Sequence, residues 1–170
     1  MINWNNVLKN IESYRKRDIT VDPSVWDLTN PDYKKMLTLW QDHNVNTASV
    51  KWTNYYIDAH IQDLFSEQVD CRPMRSWVSR IDPGYMTGWH WDIDEYEQLY
   101  KKQGNLVRYT CFIDSPRLGQ TFIIEDKCYH NMKQGSIIKW DNYNDWHCGA
   151  NSGLEPNYMF HLVGIDGSNL

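Results

Sequence analysis

A chain of 170 residues with 41% hydrophobic content can bury one sizeable core and is short for two, so a single domain spanning 1–170 is expected. Its net charge of -5 and pI near 5.6 exclude broad electrostatic attachment to long nucleic acid or anionic membrane, which needs a basic stripe to displace counterions; the tract Tyr14–Arg17 is too short to supply one. No apolar run approaches the about 20 residues of a membrane span, and the amphipathic N-terminus lacks the pattern of a signal peptide, so the expected location is cytoplasmic.

The first third carries helical periodicity. Trp4, Val7, Leu8 and Ile11 recur at one-face spacing, and Tyr33, Met36, Leu37 and Trp40 do so after Asn30-Pro31, an N-cap followed by proline at the first helical position. Tyr56, Ile57, His60, Ile61, Leu64 and Phe65 form a third stripe, in which His60 reads as a packed, hydrogen-bonded core histidine. Thr20 to Asp27 reads as irregular. Residues 1–70 are therefore expected to be a helical bracing region.

From Arg75 the texture changes to short runs of β-branched and aromatic residues, punctuated by Asp82-Pro83-Gly84, Ser115-Pro116, Lys133-Gln134-Gly135 and Ser152-Gly153. Strands are predicted at Ser76–Ile81, Trp89–Ile93, Leu106–Ile113, Thr121–Glu125, Lys127–Met132, Ser136–Trp140, His147–Ala150 and Tyr158–Ile165. Short strands behind a helical layer make a mainly β fold, a double-stranded β-helix or jelly roll of cupin type, with its core at 75–165. The charged stretch Glu95–Gln103 is expected as a loop or short helix over the barrel mouth. Cys71, Cys111, Cys128 and Cys148 are scattered, without C-x-x-C pairs, and read as buried reduced thiols.

Gly88-Trp89-His90-Trp91-Asp92 places an imidazole and a carboxylate two positions apart, so that on an extended strand both face the same side. H-x-D alone is a weak signal. The best third ligand is His147, which follows the strand-like Ser136–Trp140 and the turn-rich Asp141–Asp145. Two neutral imidazoles and one carboxylate on one face of an octahedron leave three positions for a chelating co-substrate and O2, which suits Fe(II). Zinc accepts the same ligands plus water. His43 near a helix end and His130 in a strand fit less well, and Asp94, Glu95 and Glu97 read as a solvated acidic loop.

Several motifs occur in a familiar order. Ser79-Arg-Ile-Asp-Pro83-Gly84, then His90, then Arg108 in a strand, then Gly135-Ser-Ile-Ile-Lys-Trp140-Asp141-Asn142 leading into His147 and Asn151, resembles the aspartyl/asparaginyl β-hydroxylase branch of the Fe(II)/2-oxoglutarate-dependent dioxygenases. The resemblance covers Arg75 to Ile165, about half the chain, and leaves the helical third unmatched. It implies that His90 and His147 bind iron, that Ser79 hydrogen-bonds a 2-oxoglutarate carboxylate, and that Arg108 lies beside this co-substrate. The implied reaction converts 2-oxoglutarate and O2 to succinate and CO2 while hydroxylating a C–H bond of a peptide side chain, an amino acid or another small molecule.

Two departures from that branch bear on the site. Its vertebrate-type members lack the carboxylate ligand, whereas this chain has Asp92. The branch also carries an arginine ten residues after the second histidine, to pair the distal 2-oxoglutarate carboxylate, and here that position is Asn157. A neutral amide cannot reproduce the bidentate fork of a guanidinium. Alternation puts Arg108, Thr110 and Phe112 on one face of their strand and Asn157, Met159 and His161 on one face of theirs. Arg108 is thus the favoured substitute, with His161, Arg80 and Lys139 behind it; the last two read more simply as surface charge. Asn157 is also the best support for a rival, a cupin-type metal enzyme that does not use 2-oxoglutarate. A non-catalytic jelly-roll binding module is the other rival, and the intact ligand triad speaks against it. Tyr85, Trp89 and Trp91 either shape a substrate pocket or pack in the barrel.

Overall fold

The computed structural model describes residues 2–92, 104–115, 117–140 and 145–167. In chain order these form α1 (Trp4–Lys9), β1 (Arg15–Thr20), α2 (Pro31–Asp42), β2 (Lys51–Tyr56), α3 (Ala59–Val69), β3 (Cys71–Ile81), β4 (Leu106–Phe112), β5 (Gln120–Ile124), β6 (Lys127–His130), β7 (Ile137–Trp140), β8 (His147–Asn151) and β9 (Asn157–Asp166). A six-stranded sheet runs in the order β1-β2-β3-β9-β4-β7 and a three-stranded sheet in the order β6-β5-β8. The fold is mainly β, a two-sheet jelly roll with helices from the N-terminal region.

Alternation along the large sheet divides its side chains between two cores. On the outer face, Tyr55, Val78, Tyr109, Cys111, Phe160 and Leu162 pack with Trp4 and Val7 of α1 and Phe65 of α3. On the inner face, Ile81, Phe112, Ile138, Trp140 and Met159 meet Phe122 and Ile124 of the small sheet. A third cluster seats Met36 and Trp40 of α2 against Val50 and Trp91. Helix α2 starts as its sequence dictates: the Asn30 side chain accepts from the Asp32 amide, and Pro31 occupies the first turn.

The structure departs from the sequence reading in the first third. Residues 1–70 contribute two strands as well as three helices, and Tyr56 ends β2 instead of opening a helix. Strand β1, Arg-Lys-Arg-Asp-Ile-Thr, is an exposed sheet edge whose charges hide any alternation, the composition that protects an edge from pairing with another chain. His60 is exposed near the start of α3, not packed in a core. Trp89–Asp92 forms no continuous strand; only His90 makes a β-bridge. The four cysteines are free, but Cys128 is exposed and Cys71 partly so. The Glu95–Gln103 stretch and the Asp141-Asn142 pair lie outside the described residues. No helix among the described residues is long and apolar enough to cross a membrane.

Candidate metal centre

The segment before His90 lies antiparallel beside β8. Gly84 and Thr87 donate to the carbonyls of Asn151 and Gly149 at 2.8 and 2.9 Å, and Asn151 donates back to Tyr85 at 3.0 Å. At the end of this run His90 and His147 exchange backbone bonds, 3.1 Å in one direction and 2.8 Å in the other. That pairing sets their rings side by side, with centroids 4.2 Å apart. Gly88 makes the approach possible: its φ is +74°, and a Cβ there would lie 2.8 Å from the Trp40 ring. From α2, the Trp40 Nε1–H donates to the Trp89 carbonyl at 2.6 Å, tying the helix to the ligand-bearing segment.

Each histidine is oriented by a backbone carbonyl. Nδ1 of His90 lies 2.9 Å from the Gly88 oxygen, and Nδ1 of His147 lies 3.0 Å from the Asp145 oxygen. A carbonyl can only accept, so both Nδ1 atoms carry the proton and both Nε2 lone pairs are left for a ligand. Those lone pairs meet one carboxylate oxygen: Oδ1 of Asp92 is 4.0 Å from Nε2 of His90 and 3.7 Å from Nε2 of His147. The donor atoms of the three residues all lie within 4.8 Å of one another. Burial pushes His147 down to about 3, helped by His90 and opposed by Asp92, so its ring is neutral and able to ligate. Burial alone would raise the Asp92 carboxyl. The charges of His147, Arg108 and His90, with the Arg108 hydrogen bond, outweigh it and hold Asp92 below the usual carboxylate range. Arg108 is a permanent cation beside it: its Nε donates to Oδ2 of Asp92 at 2.7 Å. Two imidazoles whose Nε2 atoms face one anionic carboxylate, each side chain held by a further group, fit a divalent transition metal.

Strand registers order the inner face of the large sheet into rows. Arg75, Val163, Arg108 and Trp140 stand abreast; the next row holds Trp77, His161, Thr110 and Ile138; the next, Asn54, Ser79, Met159 and Phe112; the last, Ile81 and Asn157. A cavity of about 290 Å³ lies against the first three rows and against Trp52 of β2, and reaches His90, Asp92 and His147. Ser79, Arg108 and His161 all line it. His161 is fixed on both sides, with Nε2 2.7 Å from the Ser79 hydroxyl and Nδ1 3.2 Å from that of Thr110. It stacks on Trp77 at 5.2 Å, and burial pushes it down to about 4, leaving a neutral ring.

Asn157 is placed apart from these. It is buried, its Nδ2 has no hydrogen-bond partner, and Met159 takes the position between it and the cavity, whose lining does not include Asn157. Arg80 pairs with Asp82 and Glu12, and Lys139 with Asp166, both outside the cavity. Tyr85, Trp89 and Trp91 do not line it either; Trp91 packs edge-on against Trp146 at 4.3 Å. The sequence reading missed Trp52, Asn54, Tyr56, Arg75 and Trp77 among the lining residues. For Arg75 and Trp77 the signal was present: counting back by twos from Ser79 puts both on its face.

No family model matches the chain, and no curated protein matches it in sequence. Its structure is similar to that of a viral collagen prolyl hydroxylase from Paramecium Bursaria Chlorella virus-1, at 14% identity and TM-score 0.48 over 91% of this chain and 98% of that one. A prolyl-4-hydroxylase from Pseudomonas putida gives 8% identity and TM-score 0.46 over 95% and 98%. A predicted oxalate decarboxylase from Thermotoga maritima gives 12% identity and TM-score 0.42 over 68% and 81%.

Proposed function

We propose that the protein is a non-haem Fe(II) and 2-oxoglutarate-dependent oxygenase that hydroxylates a C–H bond of a small molecule or peptide side chain. The observation that carries this reading is the geometry of His90, Asp92 and His147: two Nε2 lone pairs, fixed by backbone carbonyls, facing one carboxylate at the edge of a 290 Å³ cavity. Iron(II) held there would supply, with O2 and 2-oxoglutarate, an oxidant strong enough to take hydrogen from such a bond. The chain's own groups do the rest. Asp92 and the two imidazoles would hold the ion, Arg108 keeps Asp92 ionised and aimed, and the Ser79 hydroxyl offers a hydrogen bond to a carboxylate in the cavity. The aromatic walls exclude water from the reacting groups.

The test is a paired measurement on protein loaded anaerobically with Fe(II). Calorimetric titration should detect 2-oxoglutarate binding, and NMR under air should detect slow succinate release without a second substrate. His90→Ala, Asp92→Ala and His147→Ala should each lose stoichiometric metal. If metal binds but neither 2-oxoglutarate binding nor succinate is seen at millimolar concentration, a cupin-type metal enzyme without this co-substrate becomes the better reading. Asn157, short and outside the cavity, is the observation that favours that second reading.

A further inference from the structure

We propose that the second substrate is an acidic stretch of peptide that lies across the cavity-side face of β1 and β2, with carboxylates on Arg15 and Arg17 and a backbone N–H on Asn54. The proposal deepens the oxygenase reading and rests on it only for the reaction that follows binding. It starts from strand β1, Arg-Lys-Arg-Asp-Ile-Thr, whose alternation sorts its charges onto two faces. On the outer face both charges are engaged: the Lys16 ammonium meets Glu12 at 2.7 Å, and Asp18 accepts from the Thr53 hydroxyl at 2.6 Å. On the other face stand Arg15, Arg17 and Ile19, paired across the ladder with Tyr56, Asn54 and Trp52. All three of those β2 residues line the cavity, so this face of β1 continues its wall outward.

Both arginines are exposed, and neither side chain makes an ion pair or a hydrogen bond among the described residues. Arg15 is held at the rim of the cavity, its guanidinium carbon 4.4 Å from the centroid of the Tyr56 ring. Strands β1, β2 and β3 contain one acidic residue, Asp18, and it stands on the opposite face, so no carboxylate of these strands neutralises the pair. A guanidinium with its N–H donors unspent meets a carboxylate with two parallel hydrogen bonds. Opposite Arg17, the Oδ1 atom of Asn54 is buried without a hydrogen-bond partner. A buried acceptor left alone is costly until a donor reaches it, and a peptide N–H is such a donor.

Distance selects the size of the substrate. From β1 to β4, which carries Arg108 beside Asp92, there are four strand spacings, roughly 19 Å. A free amino acid is too short to touch both Arg17 and the candidate metal ligands, whereas about six residues of extended chain cover the span. Charge selects the kind of chain. A protein with a net charge of -5 disfavours a long polyanion, and two arginines are too few to track a phosphate backbone. The same two arginines suffice for a pair of carboxylates on a peptide, and the Asn54 amide then meets the backbone between them and the cavity.

The experiment reads calorimetric affinities on the full chain with Zn²⁺ present, without iron, 2-oxoglutarate or turnover. The probes are a peptide of about twelve residues in which Glu alternates with Ala, its counterpart with Gln in place of Glu, and an oligothymidylate of matched length, each long enough to cover the span. The wild type binds the Glu peptide at least about tenfold more tightly than the Gln peptide. Arg15→Gln/Arg17→Gln erases that preference by weakening the Glu peptide. Asn54→Ala weakens both peptides alike, about 3- to 10-fold, and keeps the preference. Lys9→Gln/Lys16→Gln removes the same charge from exposed residues off this face and keeps the wild-type preference. Equal thermal midpoints check that the variants are folded. A wild type without the preference overturns the proposal, as does an arginine double variant that keeps it or a lysine control that loses it. Tighter binding of the oligothymidylate than of the Glu peptide overturns it in favour of a nucleic acid, and unchanged affinities in Asn54→Ala overturn the backbone contact. If 2-oxoglutarate fails to bind while the Glu preference still follows Arg15 and Arg17, the oxygenase reading falls and the peptide site stands.

Discussion

The carbonyl oxygens of Gly88 and Asp145 fix which nitrogen of His90 and of His147 bears the proton, and the Arg108 guanidinium fixes the charge and aim of Asp92. The sequence places Arg108 beside a co-substrate. Its bond to Asp92 ties it to a candidate metal ligand as well. Arg108→Ala is therefore expected to weaken metal affinity about 10- to 100-fold, the usual cost of removing a group that orients a ligand, as read by competition with a chromophoric chelator. A variant with wild-type zinc affinity would show that the bond does not position Asp92. The buried rings also make acid stability readable. His147 and His161 sit at about 3 and about 4 when folded, against about 6.5 in an unfolded chain. Between those values the unfolded chain binds more protons, so their contribution is fully present above about pH 6.5 and is lost as pH falls toward 4 and then 3. Urea unfolding of metal-free protein should lose stability over that window with a slope of up to about 1.4 kcal/mol per pH unit for each ring. His161→Gln should remove one share of that slope. An unaltered slope would place the His161 titration elsewhere.

Gly88 and Trp40 act together at the level of elements, because the left-handed turn before His90 is pressed against the ring of α2. Gly88→Ala should force the indole aside, costing about 1–3 kcal/mol of stability in thermal unfolding, and should weaken metal binding beyond what that loss of folded protein explains. Trp40→Phe keeps most of the packing and removes only the donor to Trp89, so it should cost less, about 1 kcal/mol. The elements also show what a sequence can reveal. The strands from β3 to β9 follow from alternation and turn residues, and the three candidate ligand positions from the H-x-D spacing with a second histidine after a strand. Strand β2 did not, because Lys51–Tyr56 buries only Tyr55 fully and runs straight into the α3 stripe. Nor did the distance between Asn157 and the cavity: alternation places Asn157, Met159 and His161 on one face, but only the register against β3 and β4 shows which row each occupies.

The molecule as a whole keeps two cores on opposite faces of one sheet, and the inner one reaches His147 through Trp140 and Phe122. Phe65, fully buried on the outer face, should cost about 3–5 kcal/mol when replaced by alanine, yet zinc affinity of the folded fraction should stay within about twofold. A large change in affinity would mean that the outer core sets the ligand geometry. The reciprocal backbone pair between His90 and His147 joins two segments far apart in the chain before any ion is added. An ion on their side chains would rivet a seam that the peptide groups have already closed. The two amide hydrogens of that seam should then exchange with deuterated water as one clock: slowly in the metal-free protein, at the rate at which the segment peels from β8, and more slowly still in proportion to bound zinc. Their exchange would time the opening of the site with no substrate present.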